Sequence, residues 1–584
     1  MRLDTLRVWQ RSLLSYNTLA REALLALGVG VIVALAAWAF ERCITLVGMG
    51  LAALFPLAQS WARPCSLAAG GLAVGLLLWW RAADFKTRGI SGVIASVYAR
   101  QGLIPGREAL LGLLASSLTL GSGGSAGKEG PIVQIGASLG SKIAQLFQLT
   151  HQQTVLLLGC GAAAGIASAF GAPLAGVFLA LEVILTRFSY HASGLLILSS
   201  LSAYLGTKFI ATPLFHFQAP PLPPLESWEL LAALGLGIGA ACVGTAFMRT
   251  LAGSEKFFQS LPLPAWSRPA LGGLLAGGIA IFFPQVMGSG YDSMERALVG
   301  EFSLSFMAAL LIFKIGATAC TLGSGGAGGD LAPSLFLGAM WGGIYGLLLQ
   351  DWMALAPSSL AAYTLLGLGS VFAGAARAPL SASFMIVEMS ANYQLLLPLI
   401  LTTAVSALVS SVLDRDSLYT LKLSRGIVAL QAGEAPILEP LETAPVGRYL
   451  SDDYLTISPQ ATVAQLMELL KSNPQAVWAV CDEQGAFKGL VDRRDVAYWR
   501  MRCHPHLPQK TLVREIMRTD IDYLTPNDSL ASALYLMGRS RSGRLPILEA
   551  GGSRRLLGVI TRQAIFQAYL HLSSQPAPLE ASHG

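Results

Sequence analysis

Charged residues are scarce in this sequence. Asp, Glu, Lys and Arg make up 13% of its 584 residues, while 53% are apolar. A soluble protein could not bury so large an apolar fraction, so this composition argues against an ordinary soluble protein. The seven cysteines have no paired spacing, which argues against a disulfide framework or a cysteine metal site.

Two other features are missing. The net charge is +6, yet no basic stripe with interleaved aromatic residues is present, so we expect no nucleic-acid partner. No nucleophile with a nearby base and no metal-ligand spacing stands out, so we expect neither an enzyme nor a bound metal. Positive loops that flank membrane helices explain the charge better.

The apolar residues fall into long runs, several of which approach the roughly 20 residues needed to cross a bilayer. The clearest runs are 23–40, 67–80, 230–248, 269–283, 306–320 and 395–412. Shorter or glycine-interrupted runs are typical of half-helices, which must lie inside a protein bundle because lipid cannot satisfy a broken backbone. The pattern predicts an all-α polytopic membrane protein with broken or re-entrant helices.

The chain becomes polar near Asp414, with strand-like and helical patterns in alternation. We therefore predict a membrane domain over 1–425, a linker over 426–444 and a soluble α/β tail. Arg2, Arg7 and Arg11 precede the first apolar run, which has no clear cleavage site and is not a cleaved signal. The positive-inside rule places the N-terminus in the cytoplasm.

Two internal repeats indicate duplication. GSGGSAGKEGP at Gly121–Pro131 and GSGGAGGDLAP at Gly323–Pro333 follow one template, 202 residues apart. In each half a second landmark follows, in which a glutamate comes nine residues after the proline of an APL triplet: Glu182 and Glu388. Duplicated halves with interrupted helices are the construction of many transporters, whose half-helices meet near the midplane.

Each template is predicted to be a glycine-rich loop that leads into a helix N-terminus, since proline suits the first helical turn. Helix N-termini present unpaired N–H groups and positive dipole ends, and glycines let backbone amides converge on an anion. The alternative is close packing of small residues between membrane helices. Two copies of one template favour the anion site. A P-loop is excluded because Ser122 replaces its first glycine and Glu129 its hydroxyl residue.

Glu129 is the strongest candidate for a functional residue. A carboxylate at this helix start, beside Lys128, occupies the place of a permeant anion, so that it blocks the site when ionised and opens it when protonated or displaced. The alternative is an ordinary helix cap. Leu331 at the matching position favours function, because a cap would be useful in both halves.

These motifs resemble the CLC family of chloride channels and chloride/proton antiporters. The matching segments, in order from about residue 20 to 425, are GKEGP with VQIGASLG, then AFGAPLAG, GDLAP and DSLYTLKLSRG. The resemblance implies a homodimer of inverted repeats in a bacterial inner membrane, with both termini cytoplasmic. It implies that Glu129 is the external gate and that Tyr419 lines the central anion site. The anion-pathway positions are then Arg88, Gly127, Lys128, Gly329, Asp330, Leu331 and Tyr419.

Three positions depart from the family pattern. Arg88 stands where a serine normally coordinates the anion, and Asp330 where an apolar residue offers its amide. Our hypothesis is that the two charges compensate, so that single neutralisations reduce flux more than the double one; additive effects would reject it. Val183 stands where exchangers usually carry the inner proton-route glutamate, which favours a channel. Neighbouring Glu182 could serve a proton path, but its partner Glu388 favours a shared structural role at a helix end.

The tail contains a second repeat. Tyr454–Leu470 and Asp522–Met537 each place a strand-like start, a proline turn and an amphipathic helix in order, and GLVDRRDV and GVITRQAI close the units. This resembles a pair of CBS domains, here 445–505 and 511–572, followed by a flexible tail over 573–584. The likeness implies a possible adenine nucleotide, with Asp495 as the ribose-binding acid and Ala564 in its place in the second unit. The alternative is that the pair only stabilises the dimer.

The sequence therefore predicts a chloride channel with a glutamate gate, whose partners are chloride, membrane lipid and a second copy, and which requires no cofactor. A chloride/proton antiporter is the alternative. A CBS-regulated cation transporter is a remote one, since it would need converging acidic or carbonyl ligands within the membrane.

Overall fold

The computed structural model describes most of the chain. It covers 18–56, 59–81, 89–99, 102–186, 188–210, 217, 228–353, 359–414 and 416–423, and then 441, 444–451, 454–472, 478–482, 484–491, 495–496, 499, 511–519, 521–540, 544–549, 555–561, 563–565 and 567–568. The chain divides into two compact units, Met1–Leu423 and Ser424–Gly584.

The first unit is built from helices of very unequal length. They are α1 Thr18–Leu54, α2 Ala62–Arg81, α3 Gly89–Ala99, α4 Gly106–Gly121, α5 Glu129–Leu146, α6 His151–Phe170, α7 Pro173–Leu179, α8 Tyr190–Ile210, α9 Glu229–Ser260, α10 Arg268–Phe282, α11 Tyr291–Leu298, α12 Leu304–Gly323, α13 Leu331–Met353, α14 Ser359–Ala376, α15 Pro379–Ser390, α16 Leu396–Leu413 and α17 Thr420–Leu423. A π-helical turn, Ala180–Leu185, continues α7, and 3₁₀ turns occupy Pro284–Val286 and Tyr393–Leu395.

Many of these helices suit a bilayer. Among the described residues, eight are long and apolar enough to cross a membrane, and three more apolar helices are shorter. The apolar runs of the sequence all fall on helices, in α1, α2, α9, α10, α12 and α16. The all-α membrane prediction is therefore confirmed, with short helices where the runs are short.

The duplication is visible in the helix packing. In the first half α5 packs on α6, where a Cβ at Gly136 would lie 2.1 Å from the Gly161 carbonyl oxygen. In the second half α13 packs on α14, where a Cβ at Gly338 would lie 2.4 Å from the Gly367 carbonyl oxygen. Any larger side chain would push these backbones apart, so glycine is required for the close approach.

The second unit is a small α/β domain. Its strands are β1 Leu455–Ile457, β2 Trp478–Cys481, β3 Phe487–Val491, β4 Arg544–Leu548 and β5 Leu556–Thr561, and its helices are α18 Val463–Ser472 and α19 Leu530–Ser540. Strand β1 pairs parallel with β2, which pairs antiparallel with β3. The second repeat has the same arrangement, since β4 pairs antiparallel with β5 and Leu524 forms a parallel bridge with Ile547 of β4.

Candidate anion pathway

The two glycine-rich loops have the same backbone turn. Each loop follows a long helix, α4 or α12, and turns at a glycine with a left-handed backbone, Gly123 at φ +95° and Gly325 at φ +107°. Other residues are strained in this conformation, so glycine fixes the turn in both copies. The helices that follow begin at Glu129 and Leu331, which confirms the predicted loop and helix N-terminus in each half.

Threonine side chains tie each loop to the other half. The Ser125 amide donates to Oγ1 of Thr321 at 3.2 Å, and the Ala327 amide donates to Oγ1 of Thr119 at 3.1 Å. Each buried loop amide is therefore satisfied by the helix that precedes the opposite loop. This reciprocal exchange holds the two helix N-termini side by side.

The closest contact between the loops is a reciprocal backbone bridge. The Gly127 amide donates to the Gly329 carbonyl at 2.7 Å, and the Gly329 amide donates to the Gly127 carbonyl at 2.7 Å. The predicted meeting of the two loops at one buried point is observed. Because each of these amides already donates to the carbonyl of the other loop, the donors left for an anion are those of the residues that follow.

Glu129 lies at this junction and is fully buried. Its Oε1 accepts a hydrogen bond from the Tyr291 hydroxyl. Its Oε2 folds back over Gly127, where it would lie 2.3 Å from an added Cβ, and the Ala332 amide nitrogen lies 3.2 Å from the same point. The carboxylate of one half therefore lies near the first-turn amide of Ala332 in the other, and Oε2 has no hydrogen-bond partner among the described residues.

The second half contributes Asp330, Leu331 and Tyr419. Asp330 is 7% exposed and directly precedes α13, whose first residue, Leu331, is fully buried. Tyr419 is 1% exposed and lies close enough to Asp330 and Glu129 for their charges to be felt at its hydroxyl. Its hydroxyl oxygen is buried without a hydrogen-bond partner in the part of the chain that the structure describes. The fold thus brings these three residues to the place where Glu129 lies.

Of the two basic residues predicted to line the anion pathway, Lys128 and Arg88, the structure describes only Lys128. The Lys128 ammonium lies 2.6 Å from the Glu41 carboxylate of α1, so its charge is paired outside the junction of the loops. Arg88 lies outside the described residues, and its compensation of Asp330 stays a prediction. The residue after it, Gly89, donates its amide to Gln134 Oε1 of α5 at 2.8 Å, which places the start of α3 against α5.

The two repeat-related glutamates cap helices of the opposite half. Glu182 accepts hydrogen bonds from the first turn of α15, and Glu388 from the first turn of α7. The donors are the amides of Leu380 and Ser381 for Glu182 and of Leu174 and Ala175 for Glu388, at 2.8 to 3.1 Å. The expected contact of both glutamates with helix ends is therefore observed.

Val183 follows Glu182 within the π-helical turn Ala180–Leu185 and is 8% exposed. The corresponding helix in the second half, α15, is regular through Glu388. The position predicted for a proton route is thus occupied by an apolar side chain in an irregular turn. That Val183 favours a channel over proton-coupled exchange remains a prediction.

Sequence reasoning missed Tyr291. It is separated from Glu129 by 162 residues, and it follows a Gly-Ser-Gly segment, 288–290, that lies outside both repeat templates. Its ring packs edge-to-face on Phe170 of α6, with ring centroids 6.4 Å apart. No local pattern links a tyrosine at one helix start to a carboxylate at another, so only the fold identifies this contact.

In the tail, Asp495 forms an ion pair with Arg518 at 3.1 Å. Its side chain is 15% exposed, whereas that of Arg518 is 48% exposed. The pairing holds the carboxylate near the protein surface, where its oxygens could accept hydrogen bonds from ribose hydroxyls. Arg518 would have to share the carboxylate with such a ligand.

Comparison with known proteins identifies the family. The family model described as "Voltage gated chloride channel" matches residues 70–411, which is more than half of the chain. The chain belongs to the CLC family. Its membrane unit therefore belongs to a family of chloride channels and transporters. The CBS domain model matches residues 446–502 and 513–571, so this CLC protein carries two CBS domains.

The most similar proteins found agree with this membership. A ClcB-like chloride channel protein of Ralstonia nicotianae is 32% identical over 412 residues, which are 68% of this chain and 95% of the relative. The voltage-gated ClC-type chloride channel ClcB of Escherichia coli K12 is 31% identical and covers 62% of this chain and 86% of its own. Both are bacterial proteins, and the apolar helices of this chain fit a multi-pass inner-membrane protein.

Solved CLC structures share the fold. A slow cyanobacterial Cl⁻/H⁺ antiporter has a TM-score of 0.62 and 26% identity, over 70% of this chain and 98% of its own. A eukaryotic CLC transporter has a TM-score of 0.66 and 19% identity, over 94% of this chain and 98% of its own. The second likeness extends over the tail as well and shows the fold alone.

Proposed function

We propose that this protein conducts chloride passively across the membrane and that Glu129 is its gate. The proposal rests on the burial of the Glu129 carboxylate at the bridged N-termini of α5 and α13, where a permeant anion would meet the same amides. A site made of backbone amides and a tyrosine hydroxyl attracts an anion without a fixed opposite charge, which keeps binding weak enough for release.

The gate acts as a tethered anion. In the observed conformation the carboxylate blocks the point at which the loops meet. Protonation removes the charge that competes with chloride, and a rotation of the side chain clears the path. In this proposal Asp330, Leu331 and Tyr419, which are all buried, line the anion path, and Gly127 and Gly329 hold the two helix starts together.

The decisive experiment measures chloride efflux from liposomes that contain the purified full-length protein, at several external pH values. We expect Glu129→Gln, which cannot ionise, to conduct at a rate that no longer depends on external pH. Glu301→Gln is the matched control, because this exposed glutamate pairs with Arg296 at the protein surface. A Glu129→Gln variant with unchanged pH dependence would remove Glu129 from the gate.

A chloride/proton antiporter is the second candidate, because a solved relative at 26% identity is described as a Cl⁻/H⁺ antiporter. The apolar Val183 favours the channel, since no titratable group stands at that position. Recording the internal pH during chloride efflux separates the two. Protons moving against their own gradient would reject the passive channel. The family match gives no support to the cation transporter.

We extend the proposal to the assembly. The protein works as a homodimer in a bacterial inner membrane, with both termini in the cytoplasm, as its family and its N-terminal arginines suggest. The CBS pair binds an adenine nucleotide at Asp495, since CBS domains commonly bind such ligands. Light scattering of the detergent-solubilised protein would contradict the dimer if it gave the mass of one chain.

A further inference from the structure

The segment between α10 and α11 belongs to the second half in sequence but lies on the glycine-rich loop of the first. After the 3₁₀ turn Pro284–Val286, the Gly288 amide donates to the Gly123 carbonyl at 3.2 Å. The Ser289 hydroxyl donates to the Ala126 carbonyl at 3.4 Å. This segment therefore spans the outer part of the loop that leads into Glu129.

A buried lysine of α12 anchors the segment between α10 and α11. Lys314 of α12 is fully buried, and its ammonium donates to the carbonyls of Val286 at 2.9 Å and Gly288 at 2.8 Å. The same ammonium lies 4.8 Å from the ring centroid of Phe336. A buried cation requires such partners, because it has lost its hydration. The two carbonyls and the ring thus fix both the lysine and the segment.

The anchored segment ends at the gate. Gly290 has a left-handed backbone at φ +81°, and a Cβ there would lie 2.5 Å from Phe336. Tyr291 follows as the first residue of α11, and its hydroxyl donates to Glu129 Oε1. A continuous set of contacts therefore runs from Lys314 through two carbonyls and a glycine turn to the carboxylate of Glu129.

We propose that Tyr291 is a latch that holds Glu129 in the blocking conformation, and that Lys314 is the positioning residue that sets the latch. The proposal rests on Glu129 being the gate. A hydroxyl that donates to the carboxylate stabilises the blocked state, and this hydrogen bond must break before the side chain can leave. Lys314 contributes through the position of the segment that carries Tyr291.

The test is chloride efflux from liposomes with the full-length protein at neutral pH. We expect Tyr291→Phe to raise chloride flux about tenfold, because the loss of a hydrogen bond to a charged partner destabilises the blocked state. In a Glu129→Ala background the same change has no further effect, because no acceptor is left for the hydroxyl. Tyr363→Phe is the matched control, since that buried hydroxyl donates to Glu229 at 3.3 Å, away from the loops.

Two substitutions that both remove the charge of Lys314 test whether its hydrogen bonds to the two carbonyls position the segment. Lys314→Met loses both carbonyl contacts and raises flux in the same direction as Tyr291→Phe, without adding to it. Lys314→Gln keeps a donor for the carbonyls and retains part of the block. If neither variant folds, as judged by size-exclusion chromatography, Lys314 has a folding role and the positioning part of the proposal is rejected.

The outcomes distinguish the latch from the gate. If Glu129→Gln removes the pH dependence while Tyr291→Phe leaves flux unchanged, the gate stands and the latch is overturned. Equal increases from Tyr291→Phe in the wild-type and Glu129→Ala backgrounds also overturn the latch, because the tyrosine would then act elsewhere. If Glu129→Gln changes nothing, both proposals fail.

Discussion

The burial of the Glu129 carboxylate destabilises the folded state. A fully buried carboxylate has lost its water, and one of its oxygens has no hydrogen-bond partner among the described residues. The Tyr291 hydroxyl and the amides at two helix starts offset part of this cost. An incompletely satisfied buried group of this kind is expected at a functional position, where a second state must stay within reach.

At the residue scale, we predict that Gly127→Ala displaces the gate. The new Cβ would lie 2.3 Å from Glu129 Oε2 and 3.1 Å from the Ala332 Cβ, so the carboxylate has to move. We expect chloride flux at neutral pH to change at least severalfold, with a loss of stability of about 1–3 kcal/mol from overpacking. Liposome efflux and thermal unfolding check the two effects.

The control for this substitution is Gly278→Ala in α10, where an added Cβ meets nothing within 4 Å. It tests the general effect of a methyl group on a membrane helix. A Gly127→Ala protein with wild-type flux would show that the carboxylate does not occupy the observed position during transport.

Two short helices of this protein, α7 and α15, are each capped by a glutamate from the opposite half. The first turn of α7 is capped from the second half, and the first turn of α15 is capped from the first. Because each carboxylate satisfies two helix amides, the two short helices cannot separate without exposing unpaired donors. The caps therefore stabilise the interface between the two halves rather than either half alone.

At the element scale, we predict that Glu182→Ala and Glu388→Ala each lower the free energy of unfolding by about 1–3 kcal/mol, since buried amides lose their acceptor. The loss should be somewhat larger for Glu182→Ala, because Glu182 also accepts a hydrogen bond from the Ser381 hydroxyl. Thermal unfolding of the purified protein measures it. The corresponding glutamine variants keep one acceptor oxygen and should lose less.

The same variants test the proton route. If Glu182 carried protons, Glu182→Gln would abolish proton movement during chloride efflux while Glu388→Gln would not. Equal behaviour of the two variants in this measurement supports the structural role alone.

At the scale of the whole molecule, the membrane unit and the CBS pair are separate compact units, each with its own internal repeat. A ligand of the tail could regulate the membrane unit only if it binds one conducting state better than another. Asp495 is the residue on which nucleotide binding is proposed, and its ion pair with Arg518 keeps the carboxylate in place.

We predict that Asp495→Ala weakens adenine nucleotide binding to the full-length protein about tenfold or more, since a hydrogen-bonded charged partner is lost. Isothermal titration calorimetry with ATP measures this effect. Asp482→Asn is the control, because that carboxylate accepts hydrogen bonds from Gln484 and Ala486 in the β2–β3 turn. If the nucleotide binds equally well to Asp495→Ala, the ribose assignment is wrong.

Local patterns predicted much of this protein, because they depend on neighbouring residues. The apolar runs give the helices, and the glycine and proline positions give the start of α5 and α13. The duplication could be predicted for the same reason, since two copies of one template fold alike. The resemblance of GKEGP and GDLAP to one family then gave the fold and the candidate gate.

Only the tertiary structure decided which groups meet across the halves. It bonded the amides of Gly127 and Gly329 to each other's carbonyls, placed Lys128 beside Glu41 and brought Tyr291 to Glu129. These contacts join residues that are far apart in sequence, and each depends on how whole helices pack. The sequence alone thus determined where the helices begin and that the chain is duplicated, whereas the packing of the two halves determined what surrounds the gate.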